Sequence, residues 1–564
     1  MMNAPGTFAF TEQEQDSRVH KFCFPHQIVT TQGTVMEVSE LLTVRPLMIH
    51  LRETEVVTFQ NQQNSPHAAV LLDFGRELHG GARILTFQTG KCKTPRFLLR
   101  FGESVGEALT PVGVKGACND HSTREMTVTL PMLSDQSFAQ TGFRYLYVEF
   151  LEEYGEVSIR SIVAESIYLD LPYLGTFRCN DAQLNQIFDT AAYTVHLCMQ
   201  NRLWDGIKRD RLTWIGDTHP EMLAVCRIFG AHALIEQNLA DSSAEYPLPL
   251  YMDYMPSYSL WWILILRDYY RYTGDYAMLM RHFPYMQQLT AQLLPLVEPD
   301  GTIRFSSYFL DWPTNGTPAA KDGVQALAYL SLQAAHELLI AGNAVELAQE
   351  TLKTIEKLQS YRESGSDSKA ANAMLFLAGL ISKADAAAKL LQAGAHGLST
   401  FMSYYIFTAL SRCGYPEEAL RFCRTYYGGM LEMGATTFWE DFSLDWMENS
   451  APITRIANPD ERDIHGDFGA YCYTGYRHSL CHGWSAGPVP FLMETVLGVQ
   501  ILEPGAKKIG IFPSLCDLTY ATGTYPLPSG VLTVTVEKEK DGKIHLSYQA
   551  PDDVEVITDS TFCE

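Results

Sequence analysis

Two β-rich regions flanking a long helical one is the architecture that this 564-residue sequence predicts. The expected fold class is multidomain: an N-terminal β-sandwich, a large all-α domain and a small C-terminal β domain. Three observations predict it. Residues 1–172 are short β-rich runs punctuated by glycine, residues 173–500 switch to a helical period, and residues 501–564 return to β-like text. A chain of this length has room for about two to four domains.

The first region carries "HAAVLLDFGRELHGGARILTFQTG", "TPRFLLRFGES", "REMTVTLPM" and "FRYLYVEFLEEYGEVSIRSIVAESIYL", runs that suit the short strands of a sandwich or jelly roll. From "CNDAQLNQIFDTAAYTVHLCMQN" onward the period becomes helical. In "NAVELAQETLKTIEKLQSY" the apolar residues Val345, Ala348, Leu352, Ile355 and Leu358 step by three or four, which predicts one buried face. The preceding helix ends at Gly342, a C-cap candidate, and "ESGSDSKA" (363–370) reads as a polar loop. Roughly a dozen such segments, taken in pairs, suit an α/α toroid, and no fixed repeat marks a solenoid. After residue 500, "KKIGIFPSL", "GVLTVTVEKEKDGKIHLSYQ" and "DVEVITDS" read as strands, with a hairpin turn at Asp541-Gly542.

The net charge of −23 and the lack of a basic stripe exclude a typical nucleic-acid binder. The N-terminus has no basic n-region or apolar h-region, so no signal peptide is expected. No apolar run reaches the roughly 18 residues of a membrane span; "YSLWWILILRDYY" is broken by Arg267 and Asp268. Twelve cysteines without a C-x-x-C pair suggest free thiols and a cytoplasmic location.

The chemistry concentrates in a few stretches. "WDGIKRDRLTWIGD" (204–217) gathers Asp205, Lys208, Arg209, Asp210, Arg211 and Asp217 in the same fourteen residues as Trp204 and Trp214. "THPE" follows, with Thr218 and Glu221 spaced as a capping box and Pro220 in the first turn, so the charged stretch reads as a loop feeding a helix. An ion-pair cluster between domains would explain the charges equally well. Far downstream, "GATTFWEDFSLDWMEN" (434–449) carries Trp439-Glu440, and "YRHSLCHGWSAGP" (476–488) carries His478, His482 and Trp484. "YFLDWPT" with Trp312 and "YSLWW" with Trp261 add aromatic candidates. Indoles that pack on sugar C–H faces, beside carboxylates for acid and base work, fit a glycosidase. Other motifs carry less. "GESVG" (102–106) has the G-x-S-x-G spacing but no helical text after it. His478 and His482, at i and i+4, lack an H-E-x-x-H frame for zinc. "HELL" (336–339) reads as helix surface, and there is no P-loop or G-x-G-x-x-G.

"DGIKRDRLTWIGD", "TTFWED" and "HSLCHGWSAGP" together resemble the inverting α-L-rhamnosidases of glycoside hydrolase family 78. "LDFGRELHGGARI", "FRYLYVEF" and "IGIFPSL" resemble that family's flanking β domains. The resemblance implies an (α/α)6-barrel catalytic domain and no cofactor or metal. It implies an exo-acting enzyme that releases terminal α-L-rhamnose with inversion. Asp210 then matches the general acid and Glu440 the general base. Asp205 and Asp217 match the residues that hold sugar hydroxyls, Trp214 matches an aromatic wall, and His482 matches a sugar-binding histidine. Arg209, Trp261, Trp312 and Trp439 complete the expected binding set. Arg209 and Arg211 are expected to pair outside the proton path. The motif departs from many members, which are one residue longer and place an Asp-Glu pair where Asp210 stands alone between two arginines. Flanking guanidiniums would oppose protonation of Asp210 unless they point elsewhere. A small rhamnoside or oligosaccharide is the expected partner, with no nucleic acid or membrane and with a homodimer left open. Another six-hairpin glycosidase of the glucuronyl hydrolase or phosphorylase type, a non-catalytic sugar-binding protein and a serine esterase built on "GESVG" are the rival readings.

Overall fold

The computed structural model describes residues 16–559. Residues 1–15 and 560–564 lie outside them. Strands between Val19–Cys23 and Gly155–Tyr168 join in one antiparallel nine-stranded sheet. Its centre is Ala69–Gln88, a strand 20 residues long. The first part of this strand pairs with Gln27–Gln32, its last part with Gly155–Tyr168, and Ser134–Phe150 runs along its other edge. Register shifts between Asp73 and Leu78 and between Gly80 and Ala82 interrupt the ladder, as bulges do where a strand must bend. Phe59, Phe97, Phe101, Phe143 and Phe150 fill the core with edge-on and stacked ring contacts.

Twelve helices follow, from Ala182–Cys198 to Pro488–Phe491. Every second one joins an inner circuit. Thr218–Ile228 packs on Pro256–Thr273, which packs on Pro318–Ala341, then Lys369–Leu377, then Ser403–Arg412, then Pro488–Phe491, which returns to Thr218–Ile228. The inner helices are apolar almost all round, as full burial requires: Trp261, Trp262 and Ile263 in succession are inaccessible to solvent.

Three local expectations need correction, and the Gly342 C-cap holds with a different geometry. In helix Val345–Leu358 the buried stripe is Ala348, Thr351, Ile355 and Leu358, while Val345 and Leu352 face solvent. Gly342 does close its helix, but with φ −86°, and the left-handed residue is Asn343. Helix Thr218–Ile228 starts without a capping box. Asp217 is its N-cap and is already αR, and the Glu221 carboxylate turns inward instead, where a Cβ on Gly483 would strike it. Strand Thr176–Cys179, which lies in the stretch read as helical, pairs with Tyr520–Leu527 in the C-terminal sheet. That sheet continues through the expected hairpin, Gly530–Lys538 to Ile544–Gln549, with Gly542 at φ +90° in the turn. A second sheet combines Val499–Ile501, Lys508–Ile511 and Glu555–Thr558.

Candidate active site

Three loop segments are stitched together by backbone bonds at one mouth of the helical circuit. Gly206 bridges His482, and Gly483 N–H donates to the Asp205 carbonyl at 2.7 Å. His482 N–H donates to Phe438 and Glu440 N–H to Ser479, both at 3.0 Å. These bonds bring residues 205–217 against 438–440 and 478–484, although more than 200 positions separate them in sequence.

They enclose a cavity of about 400 Å³ lined by Asp205, Arg209, Asp210, Trp214, Asp217, Trp312, Glu440 and His482. Its size suits a small ligand. Arg209 stands at the centre. Its guanidinium donates to Asp210 Oδ1 at 3.0 Å and to Glu440 Oε1, so one cation bridges the two carboxylates. This corrects the expectation that Arg209 pairs outside the proton path. Burial opposes its charge, but Glu440 and Asp210 outweigh burial and raise its pKa. Arg211 does point away, donating to the carbonyls of Gln140 and His121. Asp210 and Arg211 both sit at φ +55°, a left-handed pair of non-glycine residues of the kind found at functional sites. The Asp210 carboxylate also accepts the Trp214 indole N–H at 3.2 Å.

The deeper carboxylates are packed against one another. Burial pushes Asp205 well above the ordinary carboxylate range, and Asp210 and Asp217 beside it add to the shift. Burial raises Asp217 in the same way, although the Tyr258 hydroxyl donates to it at 2.9 Å. Burial pushes Asp253, Asp441 and Asp311 up to about 7, 7 and 6. His482 lies 3.6 Å from Asp205 and 3.8 Å from Glu440. Burial and Arg209 lower it to about 3, so it is a neutral hydrogen-bonding group.

Two expected contacts are absent from the cavity. Trp261 is fully buried on helix Pro256–Thr273 against His219, Phe401 and Tyr405; Tyr258, nearer the helix start, takes the cavity face. Trp439 is also buried, edge-on to Phe442, while its neighbour Glu440 lines the cavity. Several lining residues had been missed. Tyr258, Trp484 and Arg477 lay inside quoted motifs, but Asp253, Tyr473 and His121 carried no signal. His121 comes from the N-terminal sheet region and lies 3.4 Å from Asp210.

The remaining motifs have structural settings. Ser104 of "GESVG" does cap a short helix, Val105–Leu109, and meets His465 Nδ1 at 2.8 Å, but it is fully buried and does not line the cavity. His478 Nε2 accepts the Asp441 N–H at 2.9 Å, which occupies one arm of the supposed zinc pair.

Residues 172–379 match the family described as bacterial alpha-L-rhamnosidase 6 hairpin glycosidase domain. No curated protein matches the chain. Among solved structures, the family 78 rhamnosidase of Bacillus sp. GL1 is similar at 23% identity and a TM-score of 0.75, over 93% of this chain and 56% of that one. This chain therefore spans little more than half the length of that relative. The Klebsiella oxytoca rhamnosidase with rhamnose bound is similar at 20% identity and 0.66, over 85% and 96%. The Streptomyces avermitilis α-L-rhamnosidase complexed with L-rhamnose gives 16% and 0.66, over 87% and 48%. Residues 172–379 thus resemble a bacterial α-L-rhamnosidase six-hairpin glycosidase domain, and over most of its length the chain has the fold seen in the solved rhamnosidases.

Proposed function

We propose that the chain is an exo-acting α-L-rhamnosidase that hydrolyses terminal α-L-rhamnose from small glycosides with inversion. The observation that carries this reading is the pair Asp210 and Glu440: two carboxylates from distant loops meet on one cavity and share one guanidinium. Asp210, at the tip of a strained loop, protonates the departing oxygen. Glu440, oriented by Arg209 and by the Ser479 N–H at 3.1 Å, takes a proton from water on the opposite face. Inversion needs room for that water, so the two carboxyls stand about 6.5–9.5 Å apart with substrate bound. Asp205 and Asp217, raised by burial, donate as well as accept hydrogen bonds to hydroxyls, and Trp214, Trp312 and Trp484 provide apolar walls. The rhamnosidases that hold rhamnose in their crystal structures support this choice of sugar.

The closed circuit of helices supports an (α/α)6 barrel, and we divide the chain into β-sandwich 1–172, barrel 173–500 and C-terminal β domain 501–564. Among the described residues no helix is long and apolar enough to cross a membrane. The free cysteines support a reducing cytoplasm, and assembly as a homodimer belongs to the same proposal.

Asp205 is the rival proton donor, because burial favours its protonated form. A panel of p-nitrophenyl glycosides tests the function. Cleavage of the α-L-rhamnoside, with β-L-rhamnose as the first product in proton NMR, is expected. Selective cleavage of another sugar, or early α-anomer, overturns it.

A further inference from the structure

Lys208 ends in a buried charge cluster that the chemistry above does not use. Its ammonium lies 2.8 Å from Glu103 and 3.3 Å from Glu107, and donates to the carbonyls of Tyr476 and His478. Glu107 is also paired with Arg124 at 2.5 Å. Glu103, Glu107 and His465 are close enough together to hold a metal ion, but the Lys208 ammonium already supplies the cation. The two glutamates are fully buried and come from the N-terminal sheet region, just past strand Arg96–Gly102. That region touches the charged loop closely: a Cβ on Gly142 would meet Ile207 and the Lys208 backbone within 3 Å.

Glu103 does more than balance Lys208. Its Oε2 accepts the Leu480 N–H at 2.7 Å, and its Oε1 faces the Ser479 hydroxyl at 3.4 Å. Ser479 then donates its own N–H to Glu440 Oε2 and accepts the Glu440 N–H. On the other side, Lys208 precedes Arg209, which holds Glu440 Oε1. Both oxygens of Glu440 are therefore held by segments that Glu103 anchors. A buried ion pair is a costly way to join two domains, since apolar packing would serve stability as well or better. Its directional hydrogen bonds can instead fix a geometry.

Resting on the assignment of Glu440 as base, we propose that Glu103 is a positioning residue for it, fixing the Ser479–Leu480 backbone and the Lys208–Arg209 segment that hold its carboxylate. The N-terminal sheet region is then part of the catalytic unit rather than an appendage.

The test is Glu103→Gln in the full chain, assayed well below its melting temperature, with hydrogen exchange of the 478–482 segment as a second readout. Loss of geometry should lower kcat on p-nitrophenyl α-L-rhamnoside about 10²-fold, with KM within about threefold, because small displacements of a reacting group are costly. Exchange at Ser479 and Leu480 should quicken, and Glu103→Asp, which keeps the charge, should recover part of both. If the Gln variant does not fold, Glu103→Asp alone still decides, since a charge one methylene short should show a smaller loss of the same kind. Unchanged kcat with unchanged exchange overturns the proposal, as does a loss confined to KM. If the wild-type protein cleaves no rhamnoside, the functional reading fails, while the exchange experiment still decides whether Glu103 holds the segment.

Discussion

The helical circuit has two mouths, and they are built from opposite chemistry. At the candidate active site the inner helices present their N-terminal ends, and Asp217, Asp253 and Trp312 lie just before or at them. At the other mouth lies a larger cavity of about 860 Å³, lined by Arg227, Arg267, Arg271 and Arg412. Three of these arginines stand in the last turn of a helix, where the partial negative charge of the backbone favours a cation. Most also have a fixed partner: Arg227 pairs with Glu494, Arg267 with Asp268, and Arg271 with both oxygens of Glu337 at 2.7 Å. Volume alone would choose the arginine mouth. The difference lies in satisfaction. The arginine mouth pairs most of its cations one to one, whereas the carboxylate mouth crowds Asp205, Asp210, Asp217 and Glu440 around one central cation, Arg209, and perturbed carboxylates in a cleft mark a candidate for chemistry.

Glu440→Gln should sharpen this contrast most, lowering kcat by about 10³-fold or more while Arg412→Ala, at the other mouth, leaves it within about twofold. The same assay separates the acids. Asp210→Asn should hurt a rhamnoside with a poor leaving group far more than the p-nitrophenyl substrate, and Asp205→Asn should hurt both alike; the reverse pattern makes Asp205 the donor. Next in size, Arg227→Met leaves Glu494 with Tyr404 as its remaining partner and should cost about 2–3 kcal/mol in urea unfolding, with kcat of the folded protein unchanged. A fall in kcat without that loss of stability would mean that the two mouths are coupled.

The smallest effect concerns pH. Burial raises Asp253 to about 7, so its contribution to stability is full below the unfolded value of about 4 and is lost as pH rises through 7. Asp253→Asn should therefore narrow the gap in unfolding free energy between pH 5 and pH 8, by about 1–2 kcal/mol after allowing for partial exposure. Asp268 has the opposite sign. Against burial, Arg267 and His219 hold it below the usual range, so its contribution is complete by pH 5, and Asp268→Asn should leave that gap unchanged.

The change of period near residue 175 was legible because burial on one helix face imposes it, and the charged loop was legible because so many ionisable groups in fourteen residues need a common purpose. That purpose proved to be divided. Asp205, Asp210, Asp217 and Trp214 face the cavity, while Lys208 and Arg211 reach the N-terminal sheet region and Trp204 packs edge-on against His79. No local pattern distinguishes these destinations, because the partner residues lie about a hundred positions upstream. Trp261 and Trp439 misled for another reason: an indole serves a core as readily as a sugar wall. The stripe on helix Val345–Leu358 was displaced because Leu352 and Thr351 lie on adjacent faces, and the neighbouring helices choose Thr351.

Strand Thr176–Cys179 carries a consequence for how the molecule is made. Thr176 shares a hydroxyl bond with Thr524, 348 residues away, so the start of the helical circuit is buckled to a sheet that the ribosome delivers only after the whole circuit. Until then the first strand has no neighbour, and the loops of the active site hang on a ring whose two ends are unfastened. Closing so long a span is entropically slow. A chain truncated before residue 520 would therefore be left with an unclasped ring, a form that proteases and chaperones would meet before any substrate did.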